Sequence, residues 1–305
     1  MKNVLLALLA VVLVAGCVNF GGSLAAFTLF PTKTTSTVED LRIDVQAAPD
    51  EVLEGKKMTL FFTLTNAGNT TINDVTLTVT DTCAFDPVTA TSTVKTFETI
   101  APDEIKTHDV ELKAQAVDTE RLCALRYATS YRSTATLQTD IAVVSEDELI
   151  RLNRKGEESN IEITEVQSLG PVLIDLRFSK PQPIPENTQF FMYTKLVNSG
   201  SGDVTEIATR GFTIDYPKDL ITLETSEGSV CDDLDPLTLP GVSTFIGQFA
   251  TYKPLKFIDK ETKTITCKLR TGPVGSSVTR VGTFHATASY KYTLRGETTA
   301  TINPE

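Results

Sequence analysis

Met58-Thr59-Leu60-Phe61-Phe62-Thr63-Leu64, then Asn66-Ala67-Gly68-Asn69-Thr70-Thr71-Ile72-Asn73-Asp74, then Val75-Thr76-Leu77-Thr78-Val79, read in succession as strand, turn and strand. Apolar residues fall on every second position of the outer two pieces, the period of a strand with one face covered and one wet. Between them stands a cluster of turn formers. The same period appears upstream in Leu41-Arg42-Ile43-Asp44-Val45 and downstream at 94–99, 107–112, 122–131 and 134–144. About seven short strands over roughly 105 residues fit two antiparallel sheets packed face to face.

The strand rhythm breaks at Ser145-Glu146-Asp147-Glu148-Leu149-Ile150-Arg151-Leu152-Asn153-Arg154-Lys155-Gly156. Ser145 with Glu148 makes a capping box, acids lead and bases trail, and Gly156 can end the turn. A short helix or a charged linker is therefore expected over 145–158, between one unit at 41–144 and another at 159–303. Strands are expected in the second unit at 161–166, 172–178, 189–197, 205–214, 221–224, 243–251, 263–269, 283–294 and 297–302. The expected fold class is all-β, with two tandem sandwiches after an N-terminal hydrophobic helix.

That N-terminal segment carries Met1-Lys2-Asn3, an apolar run over 4–14, and then Ala15-Gly16-Cys17. One basic residue, an apolar core and small residues are the pattern of a secretory signal. Val14-Ala15-Gly16-Cys17 resembles the lipobox of prokaryotic lipoproteins, which implies cleavage before Cys17 and lipid on that residue. Residues 18–30 are themselves mostly apolar, and 4–30 is long enough to cross a bilayer as a helix. Lipid anchoring, an uncut transmembrane anchor and plain secretion stay open. Residues 1–30 are thus a signal or anchor, and 31–40 a Thr-rich spacer that cannot bury enough apolar surface to fold. Attachment is expected at the N-terminus, with the remainder facing outward.

Cysteine usage agrees with export. Beyond Cys17 the chain holds Cys83, Cys123, Cys231 and Cys267, two on either side of the midpoint. Four cysteines permit three connectivities, and Cys83–Cys123 with Cys231–Cys267 is the pairing that keeps each bridge within one half. Such bridges imply an oxidising compartment and contribute about 3–4 kcal/mol each in the chain-entropy treatment.

The halves also echo one another. Pro49, Glu54, Leu64, Asn66 and Gly68 recur at identical spacing as Pro181, Glu186, Leu196, Asn198 and Gly200. The expected cause is a strand left by an Asn-x-Gly turn whose Gly takes a positive φ. Ser130-Tyr131-Arg132 returns as Ser289-Tyr290-Lys291, which points to duplication of one unit. The strand leading into Asn66-Ala67-Gly68-Asn69, with Asp74-Val75-Thr76-Leu77-Thr78-Val79 after it, resembles the CARDB-type (cell-adhesion-related) immunoglobulin-like modules of archaeal and bacterial surface proteins. The resemblance covers 41–144 and, more faintly, 159–303. It implies extracellular seven-stranded sandwiches used for spacing or adhesion, with no catalytic residues to carry over. The chain has no Trp to pack on a cysteine pair as antibody domains do, so the bridges are expected off the usual inter-sheet position.

Composition limits the chemistry. The chain has 305 residues, 28 Lys+Arg against 39 Asp+Glu, a formal net charge of -11 and only two His. An acidic surface repels phosphate backbones, so no nucleic-acid partner is expected. His108 and His285 lack a second ligand at metal spacing and a neighbouring nucleophile, so neither catalysis nor a cofactor is expected. Cys231-Asp232-Asp233-Leu234-Asp235-Pro236 is the densest acidic stretch; Asp232, Asp233 and Asp235 are weak Ca²⁺ candidates without the spacing of a calcium loop. Asn69-Thr70-Thr71 is a glycosylation sequon in an expected turn. The sequence therefore reads as a membrane-anchored extracellular structural or adhesion protein whose partner is an unknown protein or glycan. The alternative is a solute- or glycan-binding lipoprotein with a ligand cleft between the two units.

Overall fold

In the computed structural model the described residues are 39–156, 161–205, 207–224, 231–237 and 246–305. Residues 1–38, including Cys17, the expected anchor and most of the expected spacer, lie outside them. Among the described residues no helix is long and apolar enough to cross a membrane.

Strands dominate. The first half holds β1 (Leu41–Ala48), β2 (Glu51–Leu53), β3 (Lys57–Asn66), β4 (Ile72–Asp81), β5 (Phe85–Pro87), β6 (Val94–Ile100), β7 (Ile105–Ala114) and β8 (Arg121–Val144). Helix α1 (Glu146–Lys155) follows, with the Ser145 side chain accepting from the Glu148 N–H at 3.3 Å and Gly156 left-handed at φ 63°. The second half holds β9 (Glu165–Gln167), β10 (Val172–Phe178), β11 (Ile184–Pro185), β12 (Gln189–Asn198), β13 (Asp203–Val204), β14 (Phe212–Pro217) and β15 (Ile221–Leu223). It continues with β16 (Leu234–Leu237), β17 (Ile246–Thr251), β18 (Phe257–Ile258), β19 (Glu261–Thr262), β20 (Ile265–Thr271) and β21 (Thr279–Asn303).

These strands form two smaller sheets and one long one. The smaller sheets have the orders β1-β3-β7-β5 and β15-β20-β12-β19-β18, with β10 also on β12. The long sheet runs β16-β17-β14-β21-β8-β4-β6. In β3 the side chains of Met58, Leu60, Phe62 and Leu64 are buried while Thr59, Phe61, Thr63 and Thr65 face out, as the alternation requires. Phe62 of β3 meets Tyr127 of β8 edge-on at 5.5 Å, and Phe178 of β10 meets Phe284 of β21 at 5.3 Å. Each small sheet thus lays its apolar face on the long sheet, and each half carries its own aromatic contact across the layers.

Two sequence expectations are corrected here. The segments 122–131 and 134–144 are one 24-residue strand, β8, and 283–294 with 297–302 are one 25-residue strand, β21. They pair antiparallel without a break from Thr279↔Val144 to Ile302↔Arg121. At about 3.4 Å per residue this ribbon is about 80 Å long. Gly296, which reads as a break, is a strand residue: a Cβ there would lie 2.3 Å from the Tyr127 hydroxyl. The glycine makes room for a neighbour's ring rather than for a turn.

The ribbon also exchanges strand ends between the halves. β8 starts beside β4 of the first half and ends beside β9 and β11 of the second. β21 starts beside β14 of the second half and ends beside β2 of the first. Residues 37–305 accordingly form one compact unit whose two halves share a sheet.

Candidate functional site

The echoed motif Ser130-Tyr131-Arg132 and Ser289-Tyr290-Lys291 marks the middle of the ribbon. Arg132 stands directly opposite Lys291, flanked by the pairs Tyr131↔Tyr292 and Ser133↔Tyr290. The two copies of the motif therefore face each other about an approximate two-fold. Odd positions of β8 and even positions of β21 point inward here, so Tyr131, Ser133, Tyr290 and Tyr292 are all buried.

Burying three phenols needs partners for three hydroxyls. They come from Glu39 and Asp40, the residues just before β1. Tyr131 Oη donates to Asp40 Oδ1, and Tyr290 Oη donates to Asp40 Oδ2 at 3.3 Å. Tyr292 Oη donates to Glu39 Oε1 at 3.4 Å and accepts from the Gly202 N–H at 2.7 Å. Glu39 Oε1 also accepts from the Ser201 N–H at 2.5 Å and from Ser201 Oγ at 2.8 Å. Both acids belong by sequence to the end of the Thr-rich spacer. The structure instead fixes them as the clasp between the halves, with Asp40 fully closed to solvent.

The electrostatics follow from that enclosure. Burial raises the Asp40 carboxyl above its ordinary value, and the hydrogen bond from Tyr131 works against the shift. Burial likewise pushes Tyr131, Tyr290 and Tyr292 up, and the acids beside them add to it. At neutral pH the phenols are protonated donors, so this cluster supplies no phenolate nucleophile or base.

The two Asn-x-Gly motifs abut the clasp and adopt one design. Asn66 Oδ1 accepts from the Gly68 N–H at 3.0 Å while its Nδ2 donates to Thr70 O at 2.9 Å; Asn198 does the same with Gly200 at 3.1 Å and Gly202 O at 2.8 Å. The Ala67 N–H bonds Asp40 O at 2.8 Å, as the Ser199 N–H bonds Pro171 O at 2.7 Å. The expected positive φ is absent at both glycines. What they supply is closeness: a Cβ on Gly68 would lie 2.8 Å from the Asp40 Cβ, and one on Gly200 would lie 2.2 Å from the Tyr292 hydroxyl.

The remaining candidates are dispersed. Cys83, in the turn after β4, bonds Cys123 of β8; Cys231, just before β16, bonds Cys267 of β20. These are the two within-half pairings, and in the second Cys231 also stands opposite Cys267 in an isolated antiparallel bridge. Asn69 is exposed, and its Oδ1 accepts from the Leu169 N–H at 3.3 Å, beside the clasp. The acidic stretch is not all loop, because Leu234–Leu237 is a strand pairing with β17. Asp233 is buried and ion-paired with Lys253, with the Tyr252 hydroxyl at 3.4 Å. Among the described residues no three His, Cys, Asp or Glu converge as metal ligands. His108 Nε2 lies 2.7 Å from Ser92 O, and His285 stands opposite Gln138 and Asp215, on different strands of different sheets.

No protein-family model matches the chain, and no curated protein does. Among solved structures it is similar to a secreted serine protease, VesC from Vibrio cholerae, at 10% identity and TM-score 0.19, covering 77% of this chain and 47% of that one. It is also similar to Escherichia coli alpha-2-macroglobulin activated by porcine elastase, at 10% identity and TM-score 0.15, covering 89% of this chain and 22% of that one. The chain thus spans about half of the first structure and about a fifth of the second.

Proposed function

We propose that the chain is a membrane-anchored extracellular structural or adhesion protein, which presents two immunoglobulin-like sandwiches of the CARDB kind locked into one stiff body. The observation that supports the structural part of this reading is the strand exchange: each half is closed by the end of a strand that begins in the other. The continuous ladder and the buried clasp resist bending between the halves, whereas ordinary tandem domains flex at a linker. A disulfide in each half adds resistance to unfolding and suits an oxidising exterior.

The clasp adds a geometric point. The chain enters the body at Glu39 and Asp40, beside the approximate two-fold. Asn69, exposed beside the clasp, is an accessible acceptor for an N-glycan in a host with the machinery. The alternative with a ligand cleft between the halves is disfavoured, because the tyrosines and acids of the clasp fill that position.

Protease treatment of intact cells tests the reading. Degradation of residues 39–305 without lysis, together with lipid labelling lost in Cys17→Ser, is the expected result. Full protection in intact cells of a body that the same protease degrades after lysis would remove the surface assignment. No label on the parent chain would replace the lipid anchor by the uncut helix or by plain secretion, and label persisting in Cys17→Ser would put the lipid on another residue.

A further inference from the structure

The acids of the clasp are enclosed without a cation. Asp40 is fully buried, and what faces it is neutral or acidic: Tyr131 and Ser133 from β8, Tyr290 and Tyr292 from β21, the turn at 66–68, Gly170 ahead of β10, and Glu39. The cations on the neighbouring elements are turned elsewhere. Arg132 and Lys291 stand on the outer face of the ribbon, with Arg132 paired to Asp74 at 3.4 Å, and Arg295 pairs with Asp203. Lys106 pairs with Glu104, and Lys260 donates to Gly200 O at 2.9 Å. Burial favours the neutral carboxyl of Asp40, and an ionised one would have hydrogen-bond donors around it but no opposite charge.

Glu39 carries a separate sign of the same shortage. Its Oε1 takes the Ser201 N–H, Ser201 Oγ and Tyr292 Oη, whereas its Oε2 is closed to solvent and has no partner in the protein. A buried carboxyl oxygen without a donor is costly, and hydration would relieve it.

The position of the two acids makes that relief accessible. The β1–β3 ladder begins at Leu41↔Asn66, so Glu39 and Asp40 precede the first strand pair. Asp40 O accepts from the Ala67 N–H at 2.8 Å and the Gly68 N–H at 3.3 Å, and the Gly68 N–H keeps a second acceptor in Asn66 Oδ1 at 3.0 Å. Withdrawing both acids breaks these few bonds and no ladder pair. Opening at this point is therefore far less costly than unfolding the body.

We propose that Glu39 and Asp40 form a pH-operated latch, closed while Asp40 keeps its proton and opened at residues 39–40 alone when that proton leaves, with β1 and the ribbon still paired. On opening, the Asp40 carboxylate and Glu39 Oε2 gain water, while the three phenols lose their carboxyl acceptors. The join between the halves thus has a fixed part, the ribbon, and a releasable part, the N-terminal entry. The latch depends on the geometry of the body and not on where the chain resides.

Hydrogen–deuterium exchange of the purified full-length chain in detergent tests it, at about pH 5 and about pH 8, with rates corrected for the intrinsic pH dependence of amide exchange. The Ala67 N–H, bonded to Asp40 O, and the Ser201 N–H, bonded to Glu39 Oε1, report the latch. The N–H groups of Leu60 and Phe62, inside the β3 ladders, report the body. Protection of Ala67 and Ser201 should fall at least about tenfold from the lower pH to the higher while that of Leu60 and Phe62 stays level. In Asp40→Asn the protection of Ala67 and Ser201 should be the same at both pH values, whatever its level, because Asn cannot ionise. Protection independent of pH in the parent, a loss shared equally by Leu60 and Phe62, or the full loss persisting in Asp40→Asn would each overturn the proposal. The first two outcomes are read on the parent chain, so the test stands even where the variant folds poorly.

Discussion

Tyr131 donates its phenol hydrogen to Oδ1 of Asp40, 91 positions away in sequence, and both side chains are closed to solvent. The carboxyl is raised from its ordinary value, so the folded state favours its neutral form. Its contribution to stability is fully present below the ordinary carboxylate range and is lost as pH rises through the raised folded value. Asp40→Asn keeps an acceptor for Tyr131 and cannot ionise. Its thermal midpoint should therefore fall less than the parent's between about pH 4 and about pH 7. Parallel curves for the two proteins would show that Asp40 does not carry this dependence.

Tyr131→Phe moves the balance the other way. It leaves the buried carboxylate one donor short, which costs about 1–3 kcal/mol. The loss should be larger at neutral than at acid pH, because only the ionised form misses the donor strongly. Denaturant midpoints at the two pH values measure it, and an equal loss at both would point to packing of the ring alone.

Gly200→Ala places a methyl within 2.2 Å of the Tyr292 hydroxyl and 2.6 Å of the Pro171 Cβ. Neither neighbour can retreat freely, since Tyr292 is buried and its oxygen also receives the Gly202 N–H. A destabilisation of about 1–3 kcal/mol is expected by overpacking. Gly68→Ala meets the Asp40 Cβ at 2.8 Å and should cost less than Gly200→Ala. Equal, negligible effects in chemical denaturation would contradict the close approach at both turns.

Much of this was legible in the residues because the signals are local. Alternation in β3 and β12 reports which face is covered, and Ser145 with Glu148 and Gly156 reports both ends of α1. The within-half pairing of the cysteines follows from their placement along the chain. The ribbon was hidden because its pairing is non-local, and Arg132-Ser133 and Arg295-Gly296 look like interruptions when each strand is read alone. The echo of Ser130-Tyr131-Arg132 in Ser289-Tyr290-Lys291 was the available signal, and its meaning depends on the two copies running antiparallel. Glu39 and Asp40 were hidden for a related reason. Acids at the end of a Thr-rich stretch look solvated until their tyrosine partners arrive from the far end of the chain.

Each disulfide should contribute about 2–4 kcal/mol. Cys123 and Cys267 are inward-facing strand residues, so replacement by Ala at both members of a pair tests the bond without leaving a lone thiol. Peptide mapping without reduction should recover Cys83 with Cys123 and Cys231 with Cys267. A peptide joining Cys83 to Cys231 would refute the arrangement in which each bridge stays within its half.

Strand exchange makes unfolding a property of the whole body. In isolation, a fragment of residues 37–144 would keep the β8 segment bearing Leu137, Ile141 and Val143, all buried against the second half in the intact chain, and would lose the β21 end that covers β2. Three such side chains exposed together forfeit about 1.5–3 kcal/mol each, a large share of the stability of a domain this small. The fragment is therefore expected to be unfolded or aggregated, whereas residues 37–305 should melt in a single calorimetric transition whose van't Hoff and calorimetric enthalpies agree. Two resolved transitions, or a monomeric and cooperatively folding 37–144 fragment, would mean that the halves are independent and that the ribbon adds length without coupling them.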